Sequence, residues 1–189
     1  MRFLLIFFVF CISCANNNQV YIQEVNDYRD YKNSQFKSDP QSPISNREKF
    51  KQLNYFEVDE TFKVVGVLKE LDFPSYIILH ANENVTTTYE KIGVVEFNLM
   101  GVTYKLSAFI GPGENKNRIF IPFKDLTSGK SSYGAGRFLY AIKKEEENVY
   151  TIDFNYAHNP YCAYNPNFSC PLPPKENFIN LAIKAGEKK

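Results

Sequence analysis

The chain has 189 residues, 22 of them Lys or Arg and 21 Asp or Glu, for a formal net charge of +1. That balance carries no electrostatic footprint for nucleic acid or an acidic membrane surface, and the length suits one domain with ample material for a buried core. Apolar residues at 44% and charged residues at 23% exclude a disordered chain, and two His leave little room for imidazole catalysis or metal centres.

Residues 3–12 form an unbroken apolar run behind Arg2. A spanning helix needs about 20 such residues, so this run is too short to cross a bilayer and fits the apolar stretch of an export signal. Cys11-Ile12-Ser13-Cys14-Ala15 follows, with a small residue directly before a cysteine. The pattern resembles the lipobox of bacterial lipoproteins, although Cys11 stands where Leu is usual. The resemblance implies removal of 1–13, lipidation of Cys14 and, since Ala15 rather than Asp follows, outer-membrane sorting. An ordinary cleaved signal and an uncleaved anchor are the competing readings. A polar tether over 14–19 then leads into a single globular domain over 20–189, helical over 20–53 and β-rich over 54–189. Acyl chains attach such a protein to a membrane without a spanning helix.

Tyr21, Val25 and Tyr28 recur at helical spacing with Gln, Glu, Asp and Arg between them, which predicts an amphipathic helix over 20–36. Asp39-Pro40 and Ser42-Pro43 end it. Ser45-Asn46-Arg47-Glu48 is a capping-box pattern and predicts a short second helix ending near Leu53. From there the apolar period changes to two. Strands are expected over 61–71, 76–80 after a break at Pro74, 86–99, 102–110, 118–123, 137–142, 149–154 and 178–185. Met100-Gly101 reads as the tight turn of the clearest hairpin, and the charged run 143–148 as a solvated loop. Eight strands with short connections and no βαβ rhythm predict a mainly β fold: an antiparallel rolled sheet or partly open barrel with N-terminal helices packed on it.

Two stretches, 121–137 and 151–177, break this pattern. The second is too rich in Pro for a helix, at 160, 166, 171, 173 and 174, and too aromatic for disorder. A ligand or partner is expected where the two meet. Tyr133, Asn155, Tyr156, Tyr161 and Tyr164 would supply stacking and polar contacts, and Arg137 would take an anionic group. For Arg137 the alternative is a buried ion pair with Asp125 or Asp153 that braces the two stretches. In an exported chain Cys162 and Cys170 are expected to close a disulfide, worth about 2–3 kcal/mol in the chain-entropy model. Two buried thiols are one alternative. A zinc site with His158 and either Asp153 or Glu176 is another, but this spacing matches no standard zinc pattern, and no metal or other cofactor is expected. Acid/base chemistry would rest on Asp153 or Glu176 with His158. No nucleophile elbow surrounds Ser128 or Ser132, and Gly134-x-Gly136 lacks the rest of a dinucleotide fingerprint.

The runs Tyr133-Gly-x-Gly-Arg137, Ile152-Asp-Phe-Asn155, Asn159-Pro-Tyr-Cys-Ala-Tyr-Asn-Pro166 and Ser169-Cys-Pro-Leu-Pro-Pro-x-Glu-Asn177 resemble a bacterial domain-of-unknown-function family, number sixteen-eighty-four of that series. The ending Ala185-Gly-Glu-Lys188 fits it too, and the resemblance runs over roughly 20–188. The family has no agreed activity, so the resemblance implies relatives and no reaction. His158 stands where many members have Tyr, which argues against an essential catalytic His. These readings give a lipid-anchored periplasmic protein, a non-catalytic ligand-binding or interaction module. Its expected partners are the membrane, through Cys14, and a small molecule or an envelope protein, and not nucleic acid. An envelope hydrolase and a purely structural envelope protein are the rival readings.

Overall fold

The computed structural model describes the backbone of residues 4–82 and 85–189, and the side chains of 17–73, 75 and 88–189. Among these, one helix, α1 (Leu4–Ser38), precedes seven strands: β1 (Lys63–Asn82), β2 (Val85–Leu99), β3 (Val102–Ile110), β4 (Arg118–Asp125), β5 (Arg137–Lys143), β6 (Val149–Asp153) and β7 (Phe178–Ile179). The strands lie in the order β3-β2-β1-β6-β5-β4-β7, and β3 also pairs with β4 at Phe109 and Phe120. That pairing closes six antiparallel strands into a barrel, so the mainly β fold expected from the sequence is present in its closed form. Closure leaves those six strands without a free edge, and β7 adds in parallel to β4.

Strand residues alternate between the two faces of the barrel wall. Leu68, Val95, Leu106, Ile121, Leu139 and Ile152 are buried in the main apolar core. Phe154, just past β6, plugs it, with ring centroids 5.3 Å from Phe123 and 5.9 Å from Phe97. The β2–β3 hairpin turns at Met100 (φ 52) and Gly101 (φ 80), with Leu99 opposite Val102. Positive φ at both central residues matches the tight turn that suits twisted strands.

Three elements differ from the sequence expectation. β1 does not stop at Pro74. It continues through a register shift against β2 between Glu70 and Ser75, where Pro74 has no ladder position to fill, so its missing N–H costs nothing. The expected helix at 45–53 is one turn, in which Asn46 Oδ1 accepts from Lys49 N at 3.1 Å. Beyond it the chain is drawn into tertiary contacts: Leu53 N donates to Asn33 Oδ1 at 2.9 Å and Phe56 N to the Gly186 carbonyl at 2.9 Å. The closing strand expected over 178–185 is only β7, because the carbonyls of Ile183 and Ala185 accept from the Arg137 guanidinium instead of a strand neighbour. One helix, not several, therefore packs on the barrel.

Helix α1 docks through Tyr21, Val25, Arg29 and Phe36, which are buried at intervals of one to two turns. Burying its apolar side chains contributes roughly 1.5–3 kcal/mol each. The sequence aromatics of 151–177 meet this face: Tyr156 lies 4.8 Å from Tyr28, and Tyr161 and Tyr164 lie 5.7 and 5.5 Å from Phe36. The long irregular loop is thus the clamp that holds α1. Cys14 and the leader over 1–13 lie outside the residues whose side chains are described. Among the described residues no helix is long and apolar enough to cross a membrane.

Candidate functional site

Register sets up the main cleft. On the outer wall of the barrel Arg118 stands opposite Ile142, and Ile142 opposite Thr151. Two residues along, Phe120 faces Tyr140, and Lys63 faces Asp153. Helix α1 crosses above this wall, and Tyr156 and His158 enter from the loop after β6. Between them is a cavity of about 530 Å³ lined by Tyr28, Lys63, Arg118, Tyr140, Ile142, Thr151, Asp153, Tyr156 and His158. A second cavity of about 280 Å³ shares Tyr28, Arg118 and His158 with it and continues along α1 to Lys32, Phe36 and Tyr161. The two form one cleft with Arg118 at the junction.

The lining is aromatic with two cations. The Arg118 guanidinium lies 3.6 Å from the Tyr140 ring centroid, and Lys63 Nζ lies 4.2 Å from that of Tyr21. Among the described residues the half-exposed Arg118 side chain has one carboxylate contact, a long one of 3.8 Å to Glu114 Oε1. His158 stacks on Tyr140, with centroids 6.0 Å apart and planes 11° apart. Burial, with the charges of Lys32 and Arg118 adding to it, holds the His158 imidazole down at about 3, so it is neutral near pH 7. Burial and then the nearby Glu114 charge raise the Tyr140 hydroxyl to about 12, while Arg118 opposes them. Tyr140 is therefore a neutral hydroxyl, not a base.

The residues expected at one ligand site fall into different places. Tyr156 lines the main cleft, joined by Asp153 and His158. Tyr161 lines its extension. Tyr133 and Tyr164 belong to a separate cavity of about 310 Å³ beside Phe50 and Asn159. Asn155 is buried and faces inward: its Nδ2 donates to Tyr21 Oη at 2.9 Å and the Asp59 carbonyl at 2.8 Å, and its Oδ1 accepts from Asp59 N at 3.0 Å. Asn155 is a joint between α1 and the barrel and has no free group for a ligand.

Arg137 is not open to a ligand either. It is 1% exposed and sits inside the fold, where its guanidinium donates to Asp125 Oδ2 at 2.6 Å and to the carbonyls of Ile183 at 2.8 Å and Ala185 at 2.5 Å. The ion pair with Asp125 is present, but it lies within 121–137 and ties that stretch to the carbonyls at 183 and 185, not to 151–177. The expected disulfide is absent: Cys162 and Cys170 are free thiols, and Cys162 N donates to Cys170 Sγ at 3.1 Å. Burial, then the neighbouring Cys162 thiol, pushes the Cys170 thiol up to about 12.

The acid/base trio is not assembled. Glu176 lies on the far side of β3, accepting from Ser107 Oγ at 3.1 Å and Lys91 Nζ at 3.2 Å. Asp153 borders the cleft, but its carboxylate accepts from Tyr21 Oη, at 2.8 and 3.0 Å, and from Asn155. A carboxylate so occupied holds the helix down. Sequence reasoning missed Lys63, Arg118 and Tyr140, which sit in ordinary strands. Their signal was present but local: a cation and a Tyr on outward strand positions where an apolar partner was not needed.

A model of the family described as "Protein of unknown function (DUF1684)" matches residues 48–188. A search of curated proteins finds no match. Among solved structures, the chain is similar to the uncharacterized protein from gene locus rrnAC0354 of Haloarcula marismortui, determined by solution NMR. The two are 31% identical with a TM-score of 0.72, over 92% of this chain and 97% of that one.

Proposed function

This chain belongs to the family described as "Protein of unknown function (DUF1684)", and we propose that it is a lipid-anchored periplasmic binding module whose cleft between α1 and the barrel holds a small anionic ligand with a flat apolar body. The observation that carries this reading is the convergence of Tyr28, Tyr140 and Tyr156 with Lys63 and Arg118 on one cavity of about 530 Å³. Ligand sites are typically concave, mostly apolar and fitted with a few polar groups, at volumes of roughly 300–1,000 Å³. Ring faces bind a flat body, and a guanidinium with no close carboxylate binds its charged end. A neutral His158 and a neutral Tyr140 add polarity without adding charge.

The anchor rests on the leader: a short apolar run followed by Ser13-Cys14-Ala15. Lipidation at Cys14 would place the protein on the outer membrane facing the periplasm. Labelling cells with a radioactive fatty acid tests this part. Label should enter the protein and be lost in Cys14→Ala, and an unlabelled, freely soluble protein would refute the anchor.

The ligand reading is tested by a thermal-shift screen of small aromatic and aliphatic carboxylates and phosphates against the wild type, Arg118→Gln and Tyr140→Leu. A hit should raise the midpoint of the wild type and lose at least tenfold in affinity in each variant. Hits that bind all three proteins equally would place the ligand elsewhere, and the absence of any hit would favour a purely structural envelope role.

A further inference from the structure

A further cavity, of about 350 Å³, lies on the opposite flank of α1 from the cleft described above. Its walls are Asn26, Arg29, Asp30 and Asn33 of the helix, the segment 52–55, and Lys188 and Lys189. The latter two segments form a short antiparallel ribbon: Tyr55 bridges Glu187, and Lys188 N donates to the Asn54 carbonyl at 2.8 Å. The cavity is therefore a built groove between a helix and a ribbon.

Arg29 is its notable member. It is 7% exposed, yet among the described residues Nε and Nη2 have no hydrogen-bond partner, and neither does the nearby Tyr55 hydroxyl. Its guanidinium packs over the Tyr55 ring, 4.6 Å from Cζ to centroid. Other cations buried in the fold are treated differently. Lys32, three residues on, donates to Glu187 Oε1 at 2.5 Å, and Arg137 is bound by Asp125. Glu187 accepts from Tyr164 Oη, Asn159 N and Lys32, and not from Arg29. Among the described residues no carboxylate pairs with Arg29. Asp30 is an exposed carboxylate on the cavity lining and makes no ion pair with Arg29. A buried charge with unpaired N–H groups is costly unless something completes it.

We propose that this cavity is an oxyanion site, in which the Arg29 guanidinium takes a phosphate or carboxylate group of a small solute. The planar fork presents Nε and Nη2 side by side, the arrangement that binds two oxygens of one oxyanion. The Tyr55 hydroxyl is a further donor, and Lys188 and Lys189 on the lining outnumber the one carboxylate there, Asp30. The side-chain amides of Asn26 and Gln52 extend the donor set along the groove. This site shares no residue with the aromatic cleft.

The test uses the full chain in mild detergent, titrated with inorganic phosphate and, in a separate arm, acetate, at fixed ionic strength in chloride. The readouts are the unfolding midpoint and the nitrogen–proton NMR signal of the arginine Nε groups, with the Arg29 signal assigned by its loss in Arg29→Lys. The Arg29 signal should shift saturably with at least one of the two probes, and the better probe identifies the preferred headgroup. Arg29→Met should abolish the midpoint gain and, by removing an unpaired buried charge, raise the midpoint measured in chloride alone. Arg118→Gln should leave the response unchanged. A wild-type Arg29 signal that moves with neither probe overturns the proposal whether or not Arg29→Met folds. So does an equal midpoint gain in wild type and Arg29→Met.

Discussion

Asp125→Ala removes the one carboxylate that neutralises Arg137. Both side chains are fully buried and the pair is 2.6 Å apart. Taking one partner from a buried pair strands the other charge, at a cost of about 3–5 kcal/mol. The carbonyls of Ile183 and Ala185 still accept from the guanidinium and soften that loss toward its lower end. Asp125 Oδ1 also accepts from Thr127 N at 2.5 Å, which fixes the turn after β4, and losing that bond adds about 1 kcal/mol. The expected total is about 4 kcal/mol, a large share of the roughly 5–15 kcal/mol that holds a domain together. Urea unfolding followed by circular dichroism measures it. Adding Arg137→Met to Asp125→Ala should recover part of the loss, because the stranded charge is then gone. A loss under about 1 kcal/mol, or one that shrinks in concentrated salt as a screened surface pair would, refutes the brace.

The imidazole of His158 gives a pH signature. Its folded-state value is held near 3 against an unfolded value near 6.5, so below pH 6.5 the unfolded chain binds the extra proton. Stability is full above about pH 6.5 and falls as the pH drops, by up to about 1.4 kcal/mol per pH unit from this group, and His158→Tyr should flatten the slope between about pH 6.5 and 4.5. An unchanged slope would contradict the burial of that ring beside Lys32 and Arg118. With its thiol pushed up to about 12, Cys170 should resist iodoacetamide in the native protein at pH 8, by on the order of a hundredfold or more relative to the unfolded chain, as read by peptide mass spectrometry. Gly186 has φ +76, and an added Cβ would lie 2.4 Å from the Ala157 carbonyl oxygen, so Gly186→Ala should lose about 2–3 kcal/mol in urea unfolding.

Much of the barrel was legible because strand period and hairpin turns are local signals. Met100-Gly101 and the alternation of β3 placed the central hairpin where it is found. Pro74 misled because a proline speaks only for its own N–H, and a bulge can leave that position unpaired. The capping box at 45–48 misled because a local propensity lost to contacts with Asn33 and Gly186, far away in the chain. For the site, the aromatic loop was correctly picked out as an ordered element, but its job is to clamp α1. The cations that count sit in elements that look ordinary. Arg118 and Lys63 become neighbours of Tyr28 only through barrel closure and helix docking, and no sequence spacing records either. Arg29 and Lys32 did leave a trace: two cations three residues apart on the apolar stripe of Tyr21, Val25 and Phe36. A charge on a buried face asks for a partner, and Lys32 finds one within the chain.

Native mass spectrometry of the full protein, released from the cell envelope in mild detergent, bears most directly on the binding role. The expected spectrum of the wild type carries, beyond the acyl-chain mass, an added small-molecule mass that leaves on denaturation and is missing from Arg118→Gln prepared in parallel. A wild-type spectrum with no added mass, together with no hit in the thermal-shift screen, would contradict a ligand in the aromatic cleft.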